Sequence, residues 1–348
     1  MKKYSLFIVL LGLFVTSCED FLDRDPLDKI TDQQMTFSAK EMELYANKYY
    51  GNFPVLGGAD YGPYEKDNAS DNLVSGSYIY DAQISGTITV PSSGGGWDWT
   101  MLRGLNFFID NYHKSQDPIS ETAPYIGEIY FWRAWFYYDK LKQFGDLPWI
   151  GKALYADSEE LFDTRVSRTV IADSIIADLD KAISLLPEKS MATSGRIHKD
   201  VALLFQSRVA LYEGTWQQNR NNEERGKALL SIAADAAKKV IDSKQFELFK
   251  PAALGEMAYK YLFILENVQS NPANLTKSAN KEYIFYRRHD ETIAPIGTNI
   301  THGCVANVQY INRKFVNMYL CSNGLPIDHA KSADLFKGYG GLTTEFEN

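Results

Sequence analysis

The chain has 348 residues, 45% of them hydrophobic and 14% aromatic, with 44 acidic residues against 36 basic ones. That is enough apolar material for one large core or two domains, and a net charge of −8 argues against nucleic acid as a partner, since phosphate binding needs a basic surface. The 22 Tyr and 6 Trp suit core packing and stacking on apolar ligand faces alike, so composition leaves both readings open.

Lys2 and Lys3 precede an apolar run from Leu6 to Val15. Its length fits the hydrophobic region of a signal peptide and is too short for a mature spanning helix. Thr16-Ser17-Cys18 follows, and small residues before a Cys at this place resemble a bacterial lipobox, with Val15 where the commonest form has Leu. The expectation is a signal peptide over 1–17 and acylation of Cys18, anchoring the chain to a membrane. Residues 18–30, with Pro26, read as the tether of that anchor. No other stretch of the sequence is long and apolar enough to span a bilayer.

Thr31 or Asp32 is placed to cap a helix running to about Tyr50, with Phe37, Met42, Leu44, Tyr45 and Tyr49 on its inner face. Residues 51–96 change character. They are rich in Gly, Asn, Asp, Ser and Tyr and lack helical periodicity, so they read as long irregular loops, which usually carry function. Within them, Asp67 to Asn72 (DNASDN) either caps turns or ligates a cation, although the Gly of an EF-hand loop is missing. Ser92 to Gly96 leads into Trp97-Asp98-Trp99 and a helix from Trp99 to Tyr112, with Leu102, Leu105, Phe108, Ile109 and Tyr112 as its stripe. Trp97 either offers its ring to a ligand or anchors the helix start. Trp99, at helical spacing from Leu102, falls on the core side.

Asp117-Pro118 and Pro124 read as a break. From Glu128 begins the densest aromatic run of the chain, EIYFWRAWFYYDKLKQFGDLPW. Apolar residues on two of its faces predict a helix of about five turns, buried on most sides. Gly145 and Pro148 end it. Arg133 sits among the rings with no acidic residue one helical turn away. A buried guanidinium must be paired or stacked, so it is expected to reach a distant carboxylate and ring faces, the alternative being a bound anion or ligand. Arg133-Ala134 followed by aromatics, Leu141 and Phe144-Gly145-Asp146-Leu147-Pro148 resembles the hallmark of SusD/RagB-type outer-membrane lipoproteins.

That resemblance runs along nearly the whole chain. Phe21 to Pro26 (FLDRDP) is similar to the family's start, and Glu19, Asp20 and Asp23 resemble a surface-export signal. Leu105-Asn106-Phe107-Phe108 resembles the family's helix after the loop region. Ser167-Arg168 is similar to the family's Ser-Arg signature, with Ser167 as N-cap of a helix lined by Ile171, Ile175, Leu179, Ala182 and Leu186. Gly195-Arg196 precedes a helix over Val201 to Tyr212. Gly214, Asn219, Asn221 and Asn222 then read as a turn, and Glu224 to Asp242 as a further helix with small residues at Ala228, Ala233, Ala236 and Ala237. Two antiparallel pairs of this kind resemble tetratricopeptide units, without a clean ~34-residue period. Glu282 to Tyr286 reads as a short strand or extended piece, Arg313 to Leu320 as a helix, and Asn323 to Pro326 as a turn. Cys304 and Cys321 are equally readable as a disulfide or as two buried thiols.

The resemblance implies a mainly α, SusD-like fold with tetratricopeptide-like helix pairs and long irregular loops. It implies a SusD-like N-terminal helical domain over 31–250 and the start of a C-terminal region over 251–348, so that the chain reads as the N-terminal portion of a longer protein. It also implies a surface-exposed lipoprotein of the outer membrane that captures a nutrient, most often a glycan, and delivers it to a SusC-like TonB-dependent transporter. Ring stacking and hydrogen bonds would do the capturing, with Trp97, Asn106 and Tyr78 as candidate contacts and no cofactor, metal or nucleic acid. No His-Glu-x-x-His, Gly-x-Ser-x-Gly or Cys-x-x-Cys pattern occurs in the sequence, so no catalytic residue is assigned. Facing carboxylates are not readable from sequence, which keeps a glycoside hydrolase as the alternative, beside a purely structural protein-binding scaffold.

Overall fold

The computed structural model describes residues 35–54, 70, 72–75, 86–287, 289, 292 and 309–338. Cys18, the 1–17 leader, the 18–30 tether, the Thr31 and Asp32 caps, Tyr78, Cys304 and most of the Asp67–Asn72 segment lie outside the described residues. Contacts divide the described chain into two compact units. Of the described residues, the first takes those up to Asn47, Leu102–Glu188 and Ala202–Ala236; the second takes those between Lys48 and Met101, Lys189–Val201 and those from Ala237 onward.

In the first unit, helix α1 (Ala39–Asn47) starts later than the sequence suggests. Ser38 and Glu41 form the reason. The Ser38 backbone N–H and hydroxyl donate to Glu41 Oε2 at 2.9 and 3.0 Å, while Glu41 N–H reaches Ser38 Oγ at 3.4 Å. This reciprocal box closes the first turn. Asp117 adds a carboxylate oxygen 2.6 Å from Ala39 N, where the positive end of the helix favours it. Phe37, Met42 and Tyr49 are buried as expected, with Ala46 beside them, and Tyr45 is half-buried, but Leu44 is 58% exposed and is not on the inner face. Phe37 sits at φ 55°, an unfavourable region for a bulky residue. Its fully buried ring packs on Phe107 and Phe108 of helix α2 (Thr100–Asn111) and holds it there.

Helix α3 (Ile119–Phe144) is 26 residues long, well beyond the expected five turns. Asp117-Pro118 falls in the break before it, as expected, and Pro118 sits at its N-cap, its carbonyl accepting from Glu121 N and Thr122 N at 2.9 and 3.3 Å. Pro124 lies inside the helix. The carbonyl that lacks its usual partner is that of Ser120, an exposed residue open to solvent, so the usual penalty of an interior proline is softened. Ile126, Ile129, Phe131, Trp132, Ala134, Tyr137 and Leu141 are all at most 2% exposed. The helix is buried on most of its circumference, as its pattern of apolar faces required. Gly145, at φ 71°, ends it.

Helices α1 and α4 (Arg168–Leu185) pack on α3. Ser167 caps α4 through Val170 N, and Ile171, Ile175, Leu179 and Ala182 are fully buried. Gly127 shows how closely α3 and α4 approach: a Cβ there would lie 2.9 Å from Leu186 Cγ. Helices α5 (Lys199–Gln218) and α6 (Glu223–Asp242) follow. Within the first unit they run antiparallel, Ser207 Oγ donating to Ala233 O at 2.8 Å. Gly214 is not in the turn. It lies within α5, where a Cβ would meet Leu230 Cγ at 3.0 Å and Gly226 O at 3.2 Å. The turn is Asn219–Asn222, with Asn221 at φ 62°. Gly226, Ala233 and Ala236 are the small residues of α6 that face inward, whereas Ala228 is exposed. The fold is mainly α, with helix pairs α3/α4 and α5/α6.

In the second unit, β1 (Leu73–Ser75) pairs antiparallel with β2 (Gln309–Ile311), Leu73 opposite Ile311. Helix α7 (Ala258–Ile264), which the sequence pattern did not reveal, and a neighbouring 3-10 turn bury Phe249, Leu254, Ala258 and Leu265 as a small core. Helix α8 is Arg313–Asn317. Glu282 to Tyr286 forms no strand and bends at Ile284 and Phe285. Cys321 carries a free, half-buried thiol.

Candidate functional site

The aromatic run that dominates the sequence builds a buried polar clamp. Arg133 donates from Nε and NH2 to both carboxylate oxygens of Asp178 on α4, at 2.7 and 2.6 Å. Its NH1 donates to Asn106 Oδ1 on α2 at 3.0 Å and to Gly151 O at 3.2 Å. The guanidinium carbon lies 5.4 Å from the ring centres of Tyr130 and Trp149. The distant carboxylate and the ring faces expected for Arg133 are therefore both present. Burial opposes charge on the guanidinium, but hydrogen bonding and charge from Asp178 outweigh it and raise the Arg133 pKa. Burial likewise raises Asp178 above the usual carboxylate range, against the pull of Arg133.

Asn106 belongs to this clamp, not to a ligand surface. It is 0% exposed. Its Nδ2 donates to Ile150 O and Lys152 O at 2.8 and 2.9 Å, and its Oδ1 is taken by Arg133. With three of its hydrogen-bonding positions used inside the fold, its expected role as a ligand contact gives way to holding the segment after α3. Tyr137 holds the same segment, accepting from Ile150 N at 2.7 Å, with burial as the main reason that its phenol titrates above its usual value. Asp110 accepts from Ala153 N at 2.7 Å. Asp146 of the Phe-Gly-Asp-Leu-Pro run accepts from Arg168 N at 2.7 Å, at the start of α4, and Leu147 makes a bridge with Val166. The motif is a frame.

On that frame stands a cleft of about 310 Å³ lined by Trp149, Ile150, Gly151, Lys152, Leu154 and Glu160. Trp149 packs on Tyr137 at 4.4 Å between ring centres. Lys152 and Glu160 form an ion pair at the rim. The cleft carries no sequence signal, because the irregular stretch that lines it has no periodicity.

In the second unit, Trp97 is 39% exposed. Its ring meets Trp99 edge-on, with centres 5.0 Å apart and planes at 75°. Gly94, Gly95 and Gly96 all have positive φ, and Trp97 N donates to Gly94 O at 3.1 Å. This tight turn requires glycine and delivers the Trp pair to the start of α2. Trp99 is half-buried. Among the described residues no group of three or more His, Cys, Asp or Glu could hold a metal ion, and no helix is long and apolar enough to cross a membrane.

Comparison with known proteins gives this architecture a relationship. SusD-like protein P38 of Formosa agariphila is 25% identical over 237 residues, which are 61% of this chain and 43% of its own. A SusD-like carbohydrate binding protein of Bacteroides fragilis superposes with a TM-score of 0.60 at 19% identity, covering 85% of this chain and 56% of its own. A SusD-like protein of the same species gives a TM-score of 0.56 at 24% identity, over 77% and 48%. The chain thus spans less than half the length of its curated relative and about half the length of these structures. A SusD-like family described as starch-binding and associating with the outer membrane matches residues 20–211, more than half of the chain. The clamp on Arg133 and the α3/α4 pair fall within that match, and the chain belongs to the SusD/RagB family.

Proposed function

We propose that this chain is part of a surface lipoprotein that captures oligosaccharide and delivers it to a SusC-like TonB-dependent transporter. The observation that carries the reading is the match of residues 20–211 to a family described as starch-binding and outer-membrane associated. The leader over 1–17 and Cys18 support a lipid anchor, with 18–30 as its tether. Capture is non-covalent. The exposed ring of Trp97, braced by Trp99, supplies a stacking surface for the apolar face of a sugar, and Tyr78 is a second candidate ring in the same loop region. Chemistry on the ligand is not part of this proposal.

The test is calorimetric titration of the purified full chain, in a non-glycosidic detergent, with a panel of polysaccharides and peptides. Saturable binding without hydrolysis products is expected, and Trp97→Ala should abolish it while leaving the fold unchanged. Release of reducing ends would turn the reading to a glycoside hydrolase. Peptide binding alone, or no binding alongside retention of a transporter partner, would turn it to a scaffold.

A further inference from the structure

We infer that the cleft beside Trp149 is a second, independent ligand position, which takes a single neutral pyranose ring. Its volume of about 310 Å³ lies at the low end of the ~300–1,000 Å³ typical of ligand pockets, which suits one ring and not an extended chain. Tyr137 and Arg133 lie one helical turn apart on α3, and both contact the Trp149 ring. They support the indole from the core while the same residue lines the cleft.

The wall is pre-ordered. Ile150, Gly151 and Lys152 each present a carbonyl already bonded to Asn106 or Arg133, and Ile150 N and Ala153 N are held by Tyr137 and Asp110. A ligand therefore meets a surface whose ordering cost is already met by the fold. Gly151 leaves the floor open, since a Cβ there would meet only Trp149 Nε1, at 3.5 Å.

The rim decides the ligand class. The side chains of Lys152 and Glu160 are 60% and 38% exposed and already paired. A charged ligand meets a like charge beside the opposite one and gains little from the pair. A hydroxyl accepts from the Lys152 ammonium and donates to the Glu160 carboxylate with the pair intact. An apolar wall facing a paired donor and acceptor matches a ring with one apolar face and a hydroxyl edge. The inference goes beyond the capture reading, because none of the residues that line this cleft is among the contacts named there.

The test is titration of the full chain, in the same detergent, with the methyl pyranosides of glucose, galactose and mannose. Sorbitol and leucine serve as open-chain and zwitterionic controls. At least one glycoside should bind saturably, and Trp97→Ala should leave that binding in place. Gly151→Leu should weaken it by about tenfold or more. Gly151 lies outside the positive-φ region, so this side chain should fill the cleft without shifting the unfolding midpoint. Glu160→Gln, which alters the rim and not the frame, provides a second reading and should also weaken binding. Absence of glycoside binding, tighter binding of leucine, or binding unaffected by both cleft substitutions would overturn the assignment. Loss of glycoside binding in Trp97→Ala alone would also overturn it, while leaving polysaccharide capture at Trp97 standing.

Discussion

Two buried ionisable pairs, Arg133–Asp178 in the first unit and His198–Asp200 in the second, meet the same cost in opposite ways. Arg133 donates two hydrogen bonds to Asp178, and its remaining nitrogen, NH1, donates to Asn106 Oδ1 and Gly151 O. His198 and Asp200, 5% and 2% exposed, face each other at 3.4 Å between Nδ1 and Oδ2, and neither of those atoms has a hydrogen-bond partner. Nε2 lies 3.1 Å from Ile284 O. A carbonyl only accepts, so Nε2 carries the proton of the neutral imidazole and bare Nδ1 is turned to a carboxylate. The first pair is satisfied at every atom that matters and acts as a frame. The second lacks one proton, so its state depends on the solvent.

The largest effect expected is from breaking the satisfied pair. Asp178→Ala leaves Arg133 charged and buried, which costs about 3–5 kcal/mol. It should lower the urea midpoint steeply and release the segment over 148–153, read as faster hydrogen exchange at Ile150 N and Ala153 N. A loss below about 1 kcal/mol would place the pair with ordinary surface bridges.

A smaller effect tests the packing of the α5/α6 pair. A Cβ on Gly226 would lie 3.0 Å from Gly214 O and 3.2 Å from Gln218 N, both backbone atoms. Overpacking of this kind costs about 1–3 kcal/mol, and Ala regains about 0.5–1 kcal/mol of helix propensity. Gly226→Ala should therefore destabilise by about 1–2 kcal/mol in denaturant titration. A stabilised variant would mean that the helices separate at no cost.

The unsatisfied pair should show itself through pH. Burial lowers the His198 pKa; the Ile284 carbonyl and the Asp200 carboxylate raise it, and the Lys189 ammonium lowers it. Phe246 stacks on the ring, with centres 6.4 Å apart. The net direction is downward, so the unfolded chain binds this proton more readily than the folded one. The contribution of His198 is then complete above the ordinary histidine value, ~6.5, and is lost as pH falls through the lower folded value. The unfolding midpoint of the wild type should drop between about pH 7.5 and 5 more than that of His198→Gln. A steeper drop in the variant would reverse the sign assigned here.

How much of this was legible depended on whether the partners lay in pattern or in space. The buried faces of α3, the Ser167 cap and the Ile171–Ala182 stripe follow from periodicity and capping chemistry, and all are present. Arg133 announced the need for a carboxylate, but Asp178 lies 45 residues away, and nothing local selects it from the other acids. Asn106 misled because its partners are backbone carbonyls 44 and 46 residues on, which carry no side-chain signal. Gly214 and Pro124 were read as turn and break by residue type. Close helix approach allowed the first inside a helix, and an exposed unpaired carbonyl the second. Ser38 and Glu41, three residues apart, spell a capping box in the sequence, a stronger start signal than Thr31 or Asp32.

The central claim is that the family's signature run is a frame and that exposed rings do the binding. It is tested most directly by titrating one binding polysaccharide against the wild type, Trp97→Ala and Asp178→Asn under native conditions. The account predicts that Trp97→Ala loses binding at an unchanged unfolding midpoint, while Asp178→Asn lowers the midpoint and, where still folded, keeps its affinity. Full affinity in Trp97→Ala, together with loss of binding in a folded Asp178→Asn, would contradict it.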